Sequence, residues 1–340
     1  MTKEAQSATA VPVRTRPSIG SLIRTVLRSQ SAMTLATLLV LMTIFGVVFP
    51  TKFPTAFNLQ NLIIDYSGIV LLGVGLTFVM TSECFDLSIG ATLVLASVLA
   101  VKVMVWVGGA GWFTILAGLL TTLLTGVVVG TFNGFLVVRL RIPSIIVTLG
   151  SLNIAQGVAY ILTGGQDMHE VPELMVDRIG LGRIAGLPVP ALVSLVAVVI
   201  GAFVLAQTRF GRHTCALGSN KEAARRAGIN INRLSINIYI LSGVCAGLAG
   251  FMSLARFGTT TLSGHSTDFI TALLGVVLGG TSLFGGVGTV LGTAVGVYIP
   301  GVLSNGLILM NVFPYWQLII VGVVLCAVVY ADLVKRRQRD

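Results

Sequence analysis

The stretch that decides the fold is VPALVSLVAVVIGAFVLAQ at 189–207, followed after one threonine by RFGRHTCALGSNKEAARRAGININR at 209–233. The first part holds no charged residue and has the length that a helix needs to cross a bilayer. The second part carries six Lys and Arg residues and one Glu. Because basic loops are retained on the cytoplasmic side of membranes, this pair of segments predicts a spanning helix that ends in a cytoplasmic loop.

The whole chain repeats this alternation of apolar runs and polar connections. Hydrophobic residues make up 55% of the 340 residues and charged residues 10%, whereas soluble domains carry about 25% charged residues. We therefore predict an all-α, polytopic integral membrane helix bundle of about ten transmembrane helices, surrounded by membrane lipid. The apolar runs are 31–49, 62–81, 88–107, 113–138, 143–163, 189–207, 234–255, 267–283, 287–309 and 315–332.

The basic residues predict the topology. If the N-terminus lies inside and each run crosses once, 17 of the 22 Lys and Arg residues fall inside, as the positive-inside rule requires. Both termini are then cytoplasmic. The predicted organisation is a cytoplasmic segment 1–30, a transmembrane domain 31–332 with a cytoplasmic loop 209–233, and a cytoplasmic tail 333–340. The net charge of +10 follows from this topology and gives no indication of nucleic-acid binding.

The segment 81–91, TSECFDLSIGA, places polar side chains between two apolar runs. Ionisable groups at membrane depth usually face a cavity or a partner, so Ser82, Glu83, Asp86 and Ser88 fit a broken helix that lines a translocation path. Both carboxylates are then expected to stay hydrated near the cytoplasmic end of that path. A short cytoplasmic turn in which Asp86 caps the next helix explains the same residues equally well.

A second segment, GVVLGGTSLFGGVGTVLGT at 275–293, surrounds Thr281 and Ser282 with pairs of glycines. Such glycines either allow close helix crossing, which is their commoner use, or break the helix around a polar pocket. We expect 82–90 and 279–286 to line one shared central path.

The basic loop contains the signals of a short helix. Ser219 or Asn220 can cap a helix that runs from Lys221 to Ala227, and Gly228 can end it. An exposed basic helix held between two spanning helices is suited to dock into a cleft of a cytoplasmic partner.

No motif of an enzyme is present in the sequence. A P-loop (GxxxxGK[ST]), a GxSxG elbow and an HExxH pair are all missing. The three histidines, His169, His213 and His265, are far apart in the chain. We predict no catalytic residue, no metal site and no cofactor bound by this chain.

Four stretches of this sequence resemble the permease subunits of bacterial ABC-type sugar importers, the ribose, xylose and autoinducer-2 group, and the resemblance extends from about Leu35 to Asp332. The family signature GGIDLSVGS is matched by CFDLSIGA at 84–91, with Glu83, Cys84 and Phe85 in place of its Gly-Gly-Ile. The other matches are NGFLV at 133–137 ahead of Ile142-Pro143, the GRxxxAxGxNxxAAxxxGI pattern at 211–229, and VLGGTSLxGGxG at 277–288.

The resemblance implies a permease that imports a small sugar, a pentose such as ribose or a related monosaccharide, through the bacterial inner membrane. The implied partners are a separate ABC ATPase that uses ATP and Mg²⁺, a second permease, identical or different, and an extracytoplasmic solute-binding protein. The candidate path residues are Ser82, Glu83, Asp86, Ser88, Asn133, Thr281 and Ser282. The candidate coupling residues, within the EAAxxxG motif of ABC importers and beside it, are Lys221, Glu222, Ala223, Ala224, Arg225, Arg226 and Gly228.

Two alternatives stay open at this point. The solute of an ABC permease could instead be autoinducer-2, a sugar alcohol or a branched-chain amino acid. An ion-coupled secondary transporter has a similar composition, but it needs ionisable residues deep in its helices. Asp65, Glu83, Asp86 and Asp268 all lie near the ends of the predicted runs, which argues against that class.

Overall fold

The computed structural model describes residues 30–337, which form a bundle of apolar helices. In chain order the helices are α1 Gln30–Val48, α2 Ala56–Thr81, α3 Ile89–Val107, α4 Trp112–Arg139, α5 Ser144–Thr163, α6 Val189–Gln207, α7 Arg209–Ser219, α8 Lys221–Arg226, α9 Ile231–Phe257, α10 Asp268–Leu278, α11 Val290–Leu309 and α12 Pro314–Arg337. The predicted segment 1–30 lies outside the described residues except for Gln30. Of the predicted tail 333–340, residues 333–337 continue α12, and 338–340 lie outside the described residues.

Eight of the described helices are long and apolar enough to cross a membrane, namely α1 to α6, α9 and α11. The helices α10 and α12 add two shorter apolar segments, Asp268–Leu278 and Tyr315–Ala327. These ten helices correspond to the ten predicted runs, so the prediction of an all-α polytopic membrane protein is confirmed. The side of the membrane on which each terminus lies stays a prediction.

Helix α9 lies at the centre of the bundle and packs against α2, α3 and α4. Its contact with α4 depends on small residues, because Gly243 and Gly126 face each other so closely that a Cβ on either would collide with the carbonyl group of the other. Small residues of this kind let membrane helices approach backbone to backbone. The end of the bundle where α2 and α4 finish and α9 begins also carries α7 and α8, and we call it the α8 end.

Three predicted runs have different limits in the structure. Run 62–81 corresponds to α2, which starts earlier, at Ala56, because the Thr55 side chain accepts a hydrogen bond from the Asn58 amide and caps the helix. The predicted end of run 267–283 is wrong, since α10 ends at Leu278. Gly280 then turns the chain out of the helix with a φ of +97°. Run 287–309 begins only at residue 290, so a non-helical segment, 279–289, separates α10 from α11.

The connection between α5 and α6 folds over the far end of α9, opposite the α8 end. It contains a helical turn at Glu173–Met175, a π-helical turn at Val176–Gly180, and an antiparallel hairpin of Arg183–Ile184 with Leu187–Pro188. Gly180 packs directly on the backbone of Ala255 near the end of α9. The far end of the central helix is therefore covered by this connection.

Candidate functional site

A non-helical segment, 82–88, separates α2 from α3, and we call it the first interruption. Glu83 has a φ of +62°, in the left-handed region that glycine adopts without strain. The signature of the resembling family carries glycine at this position, and the backbone geometry gives a physical reason for that glycine. The chain then reaches Asp86, which is only 3% exposed.

Side chains from other helices hold the first interruption in place. Asp86 Oδ1 accepts hydrogen bonds from the amide and the hydroxyl of Ser88, at 3.1 and 2.6 Å, and its Oδ2 accepts one from Ser242 Oγ in α9 at 2.7 Å. Asn133 in α4 donates to Ser88 Oγ at 2.8 Å and accepts a hydrogen bond from the Ser151 hydroxyl in α5. Ser88 and Ser242 thus satisfy the buried carboxylate directly, α4 and α5 hold Ser88 in place, and no cation takes part in this network.

The first interruption lies inside the bundle rather than on its surface. Phe85 accepts a hydrogen bond from the Tyr239 hydroxyl at 3.2 Å, and Ser242, the partner of Asp86, is about 16 Å along α9 from its start. A plain surface turn is therefore excluded, and Asp86 binds the amide of Ser88 rather than the N–H groups of α3. The expectation of a hydrated carboxylate holds for the exposed Glu83 and is wrong for Asp86.

The segment 279–289, which we call the second interruption, is held mainly by backbone groups. The Ser282 amide donates to the Val287 carbonyl at 3.0 Å, and the Gly286 amide donates to the Thr81 carbonyl at the end of α2 at 2.9 Å. Gly279 lies against the backbone of Gly292 in α11. The glycines therefore serve both uses foreseen from the sequence, because some pack helices closely and others break the helix. The contact between Gly286 and Thr81 joins the two interruptions.

A polar cavity of about 580 Å³ opens beside the first interruption at the α8 end. Its polar lining comes from four parts of the chain, namely Ser82 and Glu83, Arg141 and Ser144, Lys221 and Arg225, and Asn232 and Ser235. The volume is within the range of small-molecule sites. Three cations and one carboxylate border it, so the cavity is positively charged.

The basic loop forms two helices instead of the one predicted. Helix α8 has the predicted cap, since Asn220 Oδ1 accepts from the Ala223 amide at 2.9 Å, and Gly228 ends it with a φ of +81°. Helix α7 was not foreseen, and its cap is Thr208. On α8 only Ala224 is buried, while the other side chains from residue 221 to 226 are exposed.

The end of α7 touches the second interruption and Thr81, the last residue of α2, which directly precedes the first interruption. A Cβ on Gly218 would collide with the carbonyl oxygen of Thr81 and lie 2.6 Å from the Gly286 amide nitrogen. The exposed helix pair α7–α8 is therefore in direct backbone contact with the second interruption and with the residue at which the first one begins to leave α2.

The structure divides the predicted path residues into three sets. Ser82 and Glu83 line the cavity, whereas Asp86, Ser88 and Asn133 form the buried network behind it. Thr281, which is 1% exposed, and Ser282 belong to the second interruption and make hydrogen bonds within that segment. Their contact with a solute stays a prediction.

Sequence reasoning missed the partners Ser242, Tyr239 and Ser151 and the cavity residue Arg141. The available signal was weak, because hydroxyl residues inside an apolar run are common in membrane helices. For Arg141, its position between two runs indicated only a loop.

Comparison with known proteins agrees with this architecture. The sequence profile of the family described as the branched-chain amino acid transport system / permease component matches residues 58–329. No solved structure matches the chain significantly.

Curated relatives match along most of their length. The D-allose transport system permease protein AlsC of Escherichia coli is 34% identical over 302 residues, which cover 88% of this chain and 90% of the relative. The ribose import permease protein RbsC of Escherichia coli is 34% identical over 305 residues, 88% of this chain and 92% of the relative. The L-arabinose ABC transporter permease protein AraH of Azospirillum brasilense is 32% identical over 341 residues, which cover 99% of this chain and 96% of the relative. The chain therefore belongs to this family of multi-pass ABC-transporter permeases.

Proposed function

We propose that this chain is the membrane-spanning subunit of an ABC importer for a pentose or a related monosaccharide in the bacterial inner membrane. The observation that carries the proposal is the exposed basic helix pair α7–α8, which contacts through Gly218 the second interruption and Thr81, the residue directly before the first. A partner that moves this pair would move both breaks in the spanning helices together.

The partner that fits α7–α8 is a separate ATPase subunit that uses ATP and Mg²⁺. Arg209, Arg212, Lys221, Arg225 and Arg226 are exposed on the pair, against one Glu. A basic surface is complementary to an acidic cleft and speeds docking by electrostatic attraction. A rigid displacement of α8 would shift the bundle between two discrete packings, as switching transporters require. We place Lys221, Glu222, Ala223, Ala224, Arg225, Arg226 and Gly228 in this coupling element.

The proposed solute is a neutral sugar rather than a branched-chain amino acid. The family description names the amino-acid system, but the compared relatives are named as permeases for allose, ribose and arabinose. The lining of the cavity favours the sugar as well, because hydroxyl, amide and charged groups dominate it. An isoleucine or leucine side chain would need an apolar pocket.

The complete importer requires further components. We include a second permease, identical or different, and an extracytoplasmic solute-binding protein. In this chain, seven residues are proposed to line or support the translocation path across the membrane: Ser82, Glu83, Asp86, Ser88, Asn133, Thr281 and Ser282.

Uptake measurements test the solute directly. Cells that lack the chromosomal copy and cells complemented with it are supplied with labelled D-ribose, D-allose, L-arabinose, D-fructose or L-leucine. We expect complementation to restore the uptake of at least one of these sugars at least tenfold and to leave L-leucine unchanged. If the uptake of L-leucine is restored and that of no sugar is, the amino-acid alternative replaces the proposal.

A substitution at Gly228 tests the coupling element. Gly228→Val forces a β-branched residue into the left-handed region, at a cost of about 1–2 kcal/mol, although the site has open space around it. We expect normal membrane insertion with lost sugar uptake and lost stimulation of the ATPase. Gly228→Asn is the matched control, because asparagine tolerates this conformation. Normal uptake in the valine variant would remove Gly228 from the coupling element.

Cysteine labelling tests the predicted side of the loop. Lys221→Cys is placed in a background in which Cys84, Cys215 and Cys326 are replaced by serine, leaving only the buried Cys245. An impermeant maleimide should label residue 221 in inverted vesicles and fail to label it in intact cells. Efficient labelling of intact cells would reverse the topology.

A further inference from the structure

A second polar cluster lies at the end of the bundle opposite α8. Arg256 near the end of α9 contacts Asp65 Oδ1 of α2 through Nη2 and Nε, at 2.9 and 3.0 Å. Beside this pair, His265 Nδ1 lies 2.7 Å from Asp268 Oδ2, and His265 Nε2 lies 2.7 Å from Ser253 Oγ. All five of these side chains border one small cavity between α2, α9 and α10.

From this end the cluster extends inward along α2. Asp65 is the tenth residue of α2, about 14 Å from the start of the helix, so the expectation that it lies near the end of a spanning run is wrong. Its side chain is 46% exposed, and that of Arg256 is 21% exposed. Charged groups at membrane depth are costly unless they face water, a partner or a solute. The exposed side of Asp65 therefore indicates a polar space rather than lipid.

The segment after α9 folds back into the bundle over the same cavity. Residues 258–267, GTTTLSGHST, carry six hydroxyl side chains and His265. One side of the segment is tied to the α5–α6 connection, since Asp167 accepts from the Leu262 amide at 2.8 Å. The other side reaches the start of α3, where Gly90 faces the backbone of His265.

This segment is not fully satisfied in the present conformation. Thr261 Oγ1 is, within the described part of the chain, the one buried side-chain oxygen or nitrogen without a hydrogen-bond partner. Buried hydroxyls are normally paired, and leaving one unpaired costs about 1–3 kcal/mol. The cavity measures about 30 Å³, which is room for a water molecule or two. The cluster is therefore closed on itself, and the segment that carries His265 has one unpaired hydroxyl.

We propose that this cluster is the site that receives the solute at the end opposite α8, and that it takes a neutral polyhydroxylated molecule of monosaccharide size. The inference rests on the proposed function. Sugar hydroxyls both donate and accept, and the cavity offers two carboxylates as acceptors and Arg256 and His265 as donors. The exposed ring of Phe257 on the rim offers an apolar face.

Entry of the solute requires the pairs to part. The hydroxyls of the solute would replace the contact of Arg256 with Asp65 and that of His265 with Asp268, so these groups keep hydrogen-bond partners in both states. The movable parts are the segment 258–267 and the α5–α6 connection that holds it. Closing them again restores the small cavity that the structure contains.

The test measures maximal uptake of labelled D-ribose, D-allose, L-arabinose and D-fructose at saturating sugar, in cells whose other importer components are intact. Asp65→Asn and His265→Gln should each lower the maximal rate at least tenfold for the transported sugar and change the ratio of rates among the sugars. The double variant Asp65→Arg/Arg256→Asp distinguishes a solute-binding site from an ion pair that only stabilises the fold. A purely structural pair would work in either orientation, whereas a solute site would have its donor and acceptor exchanged and stay inactive.

Asn58→Ala is the matched control in the same half of the bundle. Asn58 and Asn305 exchange two hydrogen bonds between α2 and α11, at 3.0 and 2.9 Å, and we expect this variant to keep the sugar preference. Protein level and thermal unfolding are measured for every variant. Restored uptake in the swapped pair, or unchanged rates in both single variants, would overturn the site. If the unaltered chain restores no sugar uptake, the proposed function fails first, and the sugar site fails with it.

Discussion

The two interruptions of the spanning helices are held in opposite ways. In the first, Ser242 of α9 donates to the buried carboxylate of Asp86, and Asn133 of α4, itself bound by Ser151 of α5, donates to Ser88 beside it, while the backbone at Glu83 stays strained. In the second, backbone hydrogen bonds and glycines hold the chain, and Gly280, Gly285 and Gly286 supply the left-handed turns without strain. The first should therefore be sensitive to the loss of a polar side chain, and the second to the gain of a Cβ.

The largest expected effect is at Gly279 in the second interruption. A Cβ there would collide with the backbone of Gly292 and Thr293, which cannot move aside as a flexible side chain can. We expect Gly279→Val to lower the free energy of unfolding by about 3 kcal/mol, at the upper end of overpacking effects. Unfolding of the purified protein by sodium dodecyl sulfate in mixed micelles measures this change.

Gly157→Val is the control for that substitution. Gly157 lies in α5 with no atom within 4 Å of an added Cβ, so we expect a change within about 0.5 kcal/mol. Equal decreases in the free energy of unfolding at both positions would mean that replacing any glycine has this cost. The close backbone packing of the second interruption would then not explain the effect at Gly279.

The next largest effect is at Asp86 in the first interruption. Asp86→Ala leaves the Ser88 amide and the Ser242 hydroxyl buried without their acceptor, and hydrogen bonds to a charged group contribute about 1.5–3 kcal/mol each. We expect the free energy of unfolding to fall by about 2–3 kcal/mol. This figure allows for the desolvation cost of the buried carboxylate, which the alanine variant no longer has. Asp86→Asn keeps one acceptor oxygen, and the Ser242 hydroxyl can turn to accept, so about 1 kcal/mol is expected.

The uptake of sugar gives Asp86 a second readout. If the network only supports the fold, the asparagine variant should transport at nearly the normal rate. A transport loss that exceeds the stability loss would place the charge itself in the mechanism. A loss below about 0.5 kcal/mol for the alanine variant would contradict the role of side chains in holding the first interruption.

Much of the fold could be predicted from the sequence because a spanning helix is a local property. A run such as 189–207 must satisfy its own backbone within the bilayer, so length and apolarity alone identify it. The cap at Asn220 and the stop at Gly228 were predictable for the same reason, since their partners lie within a few residues. The end of α10 at Leu278 was not predicted, because the leucines and glycines on both sides of it form one continuous apolar run.

The site could not be predicted to the same depth. Asp86 was visible as an unusual charge, but its partner Ser242 lies 156 residues further along the chain. Likewise Arg256 and Asp65 are separated by 191 residues. No pattern in either segment specifies such a contact, which arises only when α2 and α9 pack together. The segment 258–267 does carry a local signal, since six of its ten residues have hydroxyl side chains.

A smaller effect is expected at Thr281 in the second interruption. Its hydroxyl accepts one hydrogen bond, from the Thr289 amide at 3.2 Å, and backbone groups make most of the remaining contacts of the segment. Thr281→Val keeps the shape and should cost about 1 kcal/mol in the unfolding assay. A loss as large as that of Asp86→Ala would mean that side chains hold both interruptions, and the contrast between them would disappear.

The smallest effect should have the opposite sign. Glu83 adopts a φ of +62°, which costs an L-residue about 1–2 kcal/mol. Glu83→Gly removes this strain but adds conformational freedom to the unfolded chain, a cost of about 0.5–1 kcal/mol. We expect a net gain of up to about 1 kcal/mol in the same unfolding assay. The comparison is with Glu83→Ala, which removes the carboxylate and keeps the strained backbone, and which should therefore show no gain. Equal gains in both variants would assign the effect to the charge rather than to the backbone. Because the carboxylate borders the cavity that Lys221 and Arg225 also line, lower sugar uptake in both variants would then mean that this chain keeps Glu83, despite its strain, for transport.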